Sequence, residues 1–189
     1  MAQQSIYIKN MVCNRCIMVV ESILSDLKVS PLAVKMGEVV LTDELDKITY
    51  DKLKERLEAV GFELIDSKKS RLIEQVKNAI IELVHKHNGE LKTNLSDYIS
   101  DKVNHDYTYV SNLFSEVENT TIEKYFIAQK VERVKELLVY DELSLNEIAD
   151  LLSYSSAAHL STQFKKVTGL TPSHFKQIKE NKRKPLDKV

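Results

Sequence analysis

Hydrophobic positions along the chain follow two different periods. Between residues 5 and 66, short runs of period two alternate with runs at helical spacing. After residue 71, every hydrophobic run has the helical spacing alone. The pattern therefore predicts a region of mixed strands and helices, followed by an all-α region.

The elements of the first region come in the order strand, helix, strand, strand, helix, strand. Pro31 ends the first helix, Gly37 forms the turn between the two middle strands, and Gly61 ends the second helix. The order βαββαβ predicts an α+β domain of the ferredoxin-like kind over residues 4–66. The hydrophobic positions of its elements are Ile6, Ile8, Cys16, Val20, Ile23, Leu27, Leu32, Val34, Met36, Val39, Leu41, Tyr50, Leu53, Leu57, Val60, Phe62 and Leu64.

A polar run from Ser67 to Arg71 separates the two regions. It predicts a linker at residues 67–71, an all-α domain at residues 72–179 and a basic tail at residues 180–189. The first helix after the linker is expected over residues 71–87, and Gly89 follows its end. For the tail, a solvated terminus and an arm that contacts phosphates are both open.

Two stretches of the all-α region have the same pattern, fifty residues apart. We call residues 95–114 the first helix pair and residues 145–164 the second helix pair. Each reads as a short amphipathic helix, a polar turn and a second short helix, which is the pattern of a helix-turn-helix. Asn94 is the capping residue before the first pair and Ser144 the one before the second, where Ser144 and Glu147 have the spacing of a capping box. Leu145, Ile148, Leu152, Leu160 and Phe164 are expected to pack the two helices of the second pair together.

A long helix over residues 121–140 connects the two helix pairs. Its hydrophobic stripe contains Ile127, Val131, Val134 and Leu138, and its charged positions, which include Lys124, Lys130, Arg133 and Lys135, are expected to be solvated. About 20 residues at a rise of about 1.5 Å span about 30 Å. Successive turns of the major groove on one side of B-DNA are about 34 Å apart. The length therefore suits two recognition helices in adjacent turns of one groove.

The composition neither requires nor excludes a nucleic-acid partner. The formal net charge is −1, whereas DNA-binding chains are usually more basic. Acidic residues outnumber basic ones in residues 1–67, and basic residues outnumber acidic ones in residues 68–189. No hydrophobic run approaches the roughly 18 residues of a membrane helix. The beginning of the chain lacks a signal pattern, and the two cysteines cannot form a disulfide framework, so a cytoplasmic protein is expected.

The stretch from Leu143 to Phe175 resembles the signature of AraC/XylS-type transcription regulators. It contains the runs Leu143-Ser-Leu-Asn-Glu-Ile-Ala-Asp150, Ser155-Ser-Ala-Ala-His-Leu-Ser-Thr-Gln-Phe164 and Thr168-Gly-Leu-Thr-Pro172. The resemblance covers residues 72–179. It implies a seven-helix domain that binds double-stranded promoter DNA and activates, or less often represses, transcription, with RNA polymerase as a further partner.

In that family, the exposed face of each recognition helix contacts bases. Asn112 can pair with adenine through two hydrogen bonds, and small side chains can meet a thymine methyl. Lys165 and Lys166 are expected to contact phosphates. Two features depart from the family: Ser153-Tyr154 replaces its usual Gly-Phe, and the first pair is followed by Glu116 and Glu118, which repel phosphate. The residues implied to contact bases are Tyr107, Thr108, Ser111 and Asn112 in the first pair, and Ala157, Ala158, Ser161 and Thr162 in the second.

The only two cysteines form a Cys-x-x-Cys pair between the first strand and the first helix. A helix N-terminus favours thiolates, and two thiolates suit a thiophilic ion such as Cu(I). The run Met11-x-Cys13-x-x-Cys16, the βαββαβ order and the run from Ala59 to Phe62 resemble the heavy-metal-associated domain of copper chaperones. By that resemblance Cys13 and Cys16 are metal ligands, Met11 packs beneath the loop and Phe62 covers the site. Asn10 stands where the family prefers glycine.

Three interpretations of the cysteine pair remain open: a metal site, a redox couple and an inert remnant. No phosphate loop, catalytic triad or recognisable carboxylate pair occurs, so the chain is not expected to be an enzyme. The leading hypothesis is a sequence-specific DNA-binding regulator of AraC type that requires no cofactor and senses a thiophilic metal through its cysteines. The alternative is a metal-handling protein whose helical domain binds a protein partner.

Overall fold

A computed structural model describes residues 4–65, 67–91, 93–177 and 186. The chain divides into two compact units, an N-terminal unit of residues 1–78 and a C-terminal unit of residues 79–189. One helix, α3 (Lys68–His87), contributes its first half to the N-terminal unit and its second half to the C-terminal unit. Within the described part of the chain, no helix is both long enough and apolar enough to cross a membrane.

The N-terminal unit contains a four-stranded antiparallel sheet and two helices that precede α3. Its elements are β1 (Gln4–Lys9), α1 (Asn14–Asp26), β2 (Pro31–Lys35), β3 (Glu38–Leu41), α2 (Lys47–Ala59) and β4 (Glu63–Ile65). The strand order is β2-β3-β1-β4. In the register of the central strand, Ile6 lies opposite Val39 and Ile8 lies opposite Leu64.

The core of this unit contains most of the positions that the sequence pattern predicts. Ile8, Leu53 and Leu57 are fully buried, and Cys16 packs against this core while half-buried. Two positions differ. Leu32 is 55% exposed because the pairing of β2 with β3 is irregular between Pro31 and Ala33, which removes Leu32 from the alternation. Val60 is 53% exposed because it caps α2 rather than continuing its buried face.

Helix α3 begins three residues earlier than the sequence pattern predicts. The Ser67 hydroxyl accepts a hydrogen bond from the Ser70 backbone N–H at 3.0 Å, which is the bond of an N-cap residue. Residues 68–71, expected to be a linker, are therefore helical. The domain boundaries at residues 66 and 72 remain a prediction.

In its described residues, the C-terminal unit contains helices and connecting turns but no strands. After α3 come α4 (Leu95–Val103), α5 (Tyr107–Glu118), α6 (Ile122–Tyr140), α7 (Leu145–Leu151), α8 (Ala157–Thr168) and α9 (Pro172–Gln177). The first helix pair thus consists of α4 and α5, and the second of α7 and α8. The predicted basic tail lies outside the described residues except for Leu186.

A hydrophobic core joins α6, α7, α8 and α9. The five residues expected to hold the second helix pair together belong to it: Leu145 is partly buried, while Ile148, Leu152, Leu160 and Phe164 are fully buried. Phe164 and Phe175 meet edge to face, with ring centroids 5.6 Å apart. The predicted packing of α7 on α8 is confirmed.

The charged positions of α6 are less exposed than their pattern suggests. Lys130 and Lys135 are each only 7% exposed. Lys135 Nζ lies 2.5 Å from the Glu132 carboxylate, which is itself buried, and Arg133 pairs with Glu136 at 2.7 Å. The expectation of a solvated charged face is therefore wrong for Lys130 and Lys135. A helix surrounded by other helices buries more than one stripe, and alternation along its own sequence does not reveal this.

Candidate functional site

Helix α8 presents an exposed face that carries lysines and no carboxylates. Ser156 caps its first turn by accepting a hydrogen bond from the His159 backbone N–H at 3.1 Å. Ala158 and Thr162 lie one turn apart, and both are exposed, as are Lys165 and Lys166 in the last turn. Burial of Leu160 and Phe164 on the opposite side determines which face is outward.

The remaining predicted contact residues of α8 lie at the margin of this face. Ala157 and Ser161 are half-buried. The Thr162 hydroxyl donates its proton to the Ala158 carbonyl at 2.9 Å. Its oxygen can still accept a hydrogen bond, and its methyl group adds a small apolar surface of the kind that meets a thymine methyl. The six residues of the second pair that are predicted to contact DNA all lie on α8.

Tyr154 lies in the turn between α7 and α8, where the resembling family usually has phenylalanine. Tyr154 is 6% exposed, and its hydroxyl has no hydrogen-bond partner among the described residues. The Lys130 ammonium of α6 lies 3.9 Å from the centre of its ring. Burial raises the pKa of Tyr154 and lowers the pKa of Lys130 to about 8. The sequence pattern gave no sign of this contact.

Helix α5 differs in charge from α8. Thr108 and Asn112 are exposed one turn apart, whereas Tyr107 and Ser111 are half-buried. The helix contains no lysine or arginine, and the exposed Glu116 lies one turn beyond Asn112. The second helices of the two pairs, α5 and α8, are both 12 residues long but differ in charge.

Tyr107 is held by a carboxylate that sequence reasoning missed. Its hydroxyl donates a hydrogen bond to Glu123 Oε1, in the first turn of α6. Burial, and then this bond, raise the pKa of Tyr107, while the same bond lowers the pKa of Glu123. Tyr107 cannot donate to a base or phosphate without breaking this bond. A sequence separation of 16 residues concealed the contact.

The predicted caps of both helix pairs are present. Asn94 accepts from the Asp97 N–H at 2.8 Å, and Asp106 accepts from the Tyr109 N–H at 3.0 Å. Ser144 and Glu147 form the complete capping box. These bonds satisfy backbone donors at the start of short helices, which have few bonds of their own.

Cys13 and Cys16 lie at the N-terminus of α1. Cys13 is the N-cap residue, and its carbonyl accepts the Cys16 backbone N–H at 2.9 Å. The two Sγ atoms are 3.6 Å apart, and both cysteines are half-buried. Met11 is fully buried and Phe62 is 8% exposed, both in the core of the N-terminal unit.

The two thiols have opposite pKa shifts. Burial opposes ionisation of Cys13, but hydrogen bonds from Cys16 and Arg15 outweigh it and lower the pKa of Cys13. Burial, reinforced by the neighbouring Cys13, raises the pKa of Cys16. Cys13 therefore ionises first and is the better nucleophile or first ligand. Among the described residues, no cluster of three or more histidine, cysteine, aspartate or glutamate side chains surrounds a point where an ion could bind.

The protein-family model described as "Helix-turn-helix domain" matches residues 99–178. The matched segment runs from within α4 to the end of α9 and so includes both recognition helices. The C-terminal unit thus contains a segment that matches a helix-turn-helix domain.

Several curated proteins are similar to this chain at low identity. The Msm operon regulatory protein of Streptococcus mutans is 27% identical over 147 residues, which are 77% of this chain and 50% of that protein. The Xylose operon regulatory protein of Escherichia coli is 29% identical over 101 residues, 53% of this chain and 26% of that protein. The uncharacterized HTH-type transcriptional regulator YtdP of Bacillus subtilis is 24% identical over 119 residues, 62% of this chain and 15% of that protein. The chain spans half or less of each relative.

One solved structure supports the fold of the helical region. The C-terminal domain of AraT, a response regulator from Geobacillus stearothermophilus, superposes with a TM-score of 0.50 at 23% identity. The superposition covers 59% of this chain and 88% of that domain. The helical region therefore has the fold of that domain.

Proposed function

We propose that this chain is a sequence-specific DNA-binding transcription regulator of the AraC type. The observation that carries the proposal is the helix-turn-helix match over residues 99–178, which falls on a helix pair with an exposed, carboxylate-free recognition face. Named relatives are regulators of operons. The proposed compartment is the cytoplasm, and RNA polymerase is the proposed further partner of an activator.

Helix α8 is the principal reader in this proposal. Ala158 and Thr162 contact base edges, with Ala157 and Ser161 beside them, and Lys165 and Lys166 contact phosphates. In the first pair, Thr108, Ser111 and Asn112 face the groove, and Tyr107 contributes its ring. Glu116 and Glu123 weaken the electrostatic attraction of α5 to DNA.

The length of α6 supports a bipartite site. Its 19 residues span about 28 Å at a rise of about 1.5 Å per residue. Adjacent turns of the major groove are about 34 Å apart. Two recognition helices at the ends of such a connector suit two half-sites one helical turn apart. An operator read by α8 alone would instead contain one conserved block.

Fluorescence anisotropy with double-stranded DNA tests the proposal. The expected result is binding to a promoter fragment that is tighter than binding to a shuffled fragment of the same composition. Affinity for both fragments falls steeply between about 50 and 200 mM salt. Equal and salt-insensitive affinity for the two fragments would reject the proposal and favour a helical domain that binds a protein partner.

We further propose that residues 4–66 form a ferredoxin-like domain of the heavy-metal-associated kind, and that Cys13 and Cys16 bind a thiophilic ion such as Cu(I). The element order and the strand order β2-β3-β1-β4 support the fold. The burial of Met11 and of Phe62 in the core of the N-terminal unit supports the resemblance.

The geometry of the two sulfurs fits a shared ion. Thiolates bind a tetrahedral ion such as zinc at about 2.3 Å. A separation of 3.6 Å then corresponds to an angle at the ion close to the tetrahedral value. Soft thiolates select Cu(I) or zinc over hard cations. Among the described residues, no third histidine, cysteine, aspartate or glutamate joins Cys13 and Cys16 in a cluster.

Replacing both cysteines by serine tests the metal proposal. The wild-type chain is expected to bind one equivalent of Cu(I), and the Cys13→Ser/Cys16→Ser variant is expected to lose this binding. The matched measurement is transcription from a responsive promoter with and without copper. Unaltered copper affinity in the double variant would remove the cysteines as ligands.

A further inference from the structure

Three contacts converge on Asn10, the residue before the cysteine loop. Its backbone N–H donates to Glu74 Oε1 at 3.0 Å, and its side-chain amide donates to the Gly61 carbonyl at 2.9 Å. Its own carbonyl lies 4.0 Å from Cys16 Sγ. Asn10 has a φ of 70°, a left-handed conformation that asparagine adopts more readily than most residues. Asn10 therefore joins the cysteine loop to the α2–β4 turn and to α3.

Glu74 is a buried partner in this junction. It lies in the first half of α3 and is only 6% exposed. A carboxylate removed from water to this extent requires hydrogen bonds. A bond from a backbone N–H to a charged acceptor is stronger than a bond between two neutral groups. The hydrogen bond from Asn10 to Glu74 is thus expected to stay formed in the folded chain and not to be replaced by a bond to water.

The first half of α3 makes two more contacts with the N-terminal unit. The Arg71 guanidinium lies over the Tyr7 ring, 4.3 Å from its centre. At Gly37, which has a φ of +77°, an added Cβ would lie 2.8 Å from Asn78 Nδ2. The helix therefore lies against β1, the β2–β3 turn and the cysteine loop at once.

A change at Cys16 alters its contact with Asn10. As a thiol, Cys16 donates its S–H toward the Asn10 carbonyl. Ligation of the sulfur to a thiophilic cation releases this proton to solvent, and the thiolate keeps only acceptor capacity. The weak contact between Cys16 and Asn10, 4.0 Å long, is then lost, which leaves the carbonyl of Asn10 free to shift. Its neighbouring N–H, bound to Glu74, moves with the same residue.

We infer that Asn10 and Glu74 transmit the chemical state of Cys13 and Cys16 to α3, as positioning residues and not as ligands. The inference rests on the proposed thiophilic site. Helix α3 continues past residue 78, and the inference concerns its first half, residues 68–78, within the N-terminal unit.

Amide hydrogen exchange of the full-length reduced chain, measured with and without one equivalent of Cu(I), tests the inference. The readout is the exchange of the Asn10 amide and of residues 68–78. In the wild-type chain, we expect copper to increase exchange of the Asn10 amide about tenfold, the effect of losing one hydrogen bond to a charged group. Exchange of residues 68–78 is expected to change as well.

The decisive variant is Glu74→Ala, with Glu63→Gln as its matched control. Glu63 is an exposed carboxylate of the same unit, paired with Lys9 at 3.3 Å. We expect Glu74→Ala to bind one equivalent of Cu(I). In this variant, copper is expected to leave the amide exchange of Asn10 and of residues 68–78 unchanged. Glu63→Gln keeps the wild-type response. Glu74→Gln, which keeps an oxygen acceptor, provides a folded variant if Glu74→Ala is unstable, and it is expected to respond less than the wild type.

The outcomes separate the inference from the proposal on which it rests. If the wild-type chain does not bind copper, both the metal site and this inference fail. If copper binds and residues 68–78 respond equally in the wild type and both Glu74 variants, the metal site stands and the inference fails. If copper changes amide exchange of residues 68–78 only in the wild type and in Glu63→Gln, which both keep Glu74, the inference is supported.

Discussion

Tyr154 is a residue whose hydroxyl group costs stability. The group is buried and has no hydrogen-bond partner in the described part of the chain. An unsatisfied buried polar group costs about 1–3 kcal/mol. We therefore expect Tyr154→Phe to raise the free energy of unfolding by about 1 kcal/mol, while the ring still contacts Lys130.

Tyr98→Phe is the matched control for Tyr154→Phe, because the Tyr98 hydroxyl donates to the Ala79 carbonyl at 3.3 Å. We expect this variant to be neutral or to lose about 0.5–1 kcal/mol. Urea unfolding of both variants measures the difference. Destabilisation by Tyr154→Phe equal to that by Tyr98→Phe would mean that the Tyr154 hydroxyl has a partner after all.

Lys130 makes stability depend on pH. Its pKa falls from an ordinary 10.5 to about 8 in the folded chain because burial disfavours the charged form. Between these two values the unfolded chain binds more protons than the folded chain, so stability rises with pH across this window. Below about pH 8 the folded chain holds the charge at a cost of roughly 3 kcal/mol, reduced by the Tyr154 ring.

Replacing Lys130 by methionine tests this pH dependence. We expect Lys130→Met to be more stable than the wild type by roughly 1–3 kcal/mol at pH 7, with the difference shrinking as pH rises from 8 to 10.5. Urea unfolding at several pH values measures it. Tyr154 stays neutral through this range because its pKa is raised. A difference that is constant over the whole range would show that Lys130 does not titrate in it.

At the residue scale, the periodicity of the sequence predicts which side chains are buried. It does not predict contacts between residues that are far apart in the chain. Burial of Ile148, Leu160 and Phe164 follows from helical spacing. The bond between Tyr107 and Glu123 and the contact of Lys130 with Tyr154 join residues that no local pattern relates. Leu32 was misjudged because an irregularity in strand pairing is not visible in an alternating pattern.

The turn of the second helix pair is an element with local backbone strain. Ser153 has a φ of 54°, where the resembling family usually has glycine. We expect Ser153→Gly to raise the free energy of unfolding by about 0.5–1 kcal/mol, because glycine adopts this conformation without steric cost. Asn104→Gly is the matched control, since Asn104 has a φ of 54° in the first turn and asparagine tolerates it. Thermal unfolding of both variants should show a gain only at Ser153, and equal effects would disprove the strain.

The lysines of α8 set the expected salt dependence of DNA binding. We expect Lys165→Gln/Lys166→Gln to weaken binding to all sequences alike and to reduce the slope of log affinity against log salt by about 1–2. Lys52→Gln/Lys54→Gln, which removes the same charge from exposed positions of α2, controls for net charge. A salt titration of both double variants measures the slopes. An equal reduction in the two would mean that α8 makes no phosphate contact of its own.

At the element scale, capping signals and glycines predicted the helices well. Asn94 and Ser144 begin the helices that they were expected to begin. The start of α3 was missed because a polar run of serine and lysine resembles a linker, whereas Ser67 caps a helix there. The order of strands along the chain was readable, but the order of strands within the sheet required the structure.

At the scale of the whole molecule, the two units carry nearly balanced charge, so neither unit is markedly basic. The formal net charge of −1 therefore argues only weakly against DNA binding, because the charge that matters lies on individual helices. Helix α8 and its lysines then differ from α5 and its glutamates. The residues of α8 that the family resemblance predicts to contact DNA lie on one helix, and their role in binding stays a prediction. How strongly α8 binds DNA compared with α5 depends on Glu123 as well. The fold brings this carboxylate next to Tyr107 of α5, and the sequence pattern does not show it.

Selection of bound DNA from a random double-stranded pool tests the central claim, that α8 reads bases, most directly. The full chain and its Thr162→Ala variant are compared under the same salt conditions. We predict that the wild type enriches a defined motif and that Thr162→Ala loses about tenfold discrimination at one or two adjacent base pairs only. Failure of the wild type to enrich any motif, or an identical motif from the variant, would contradict the claim.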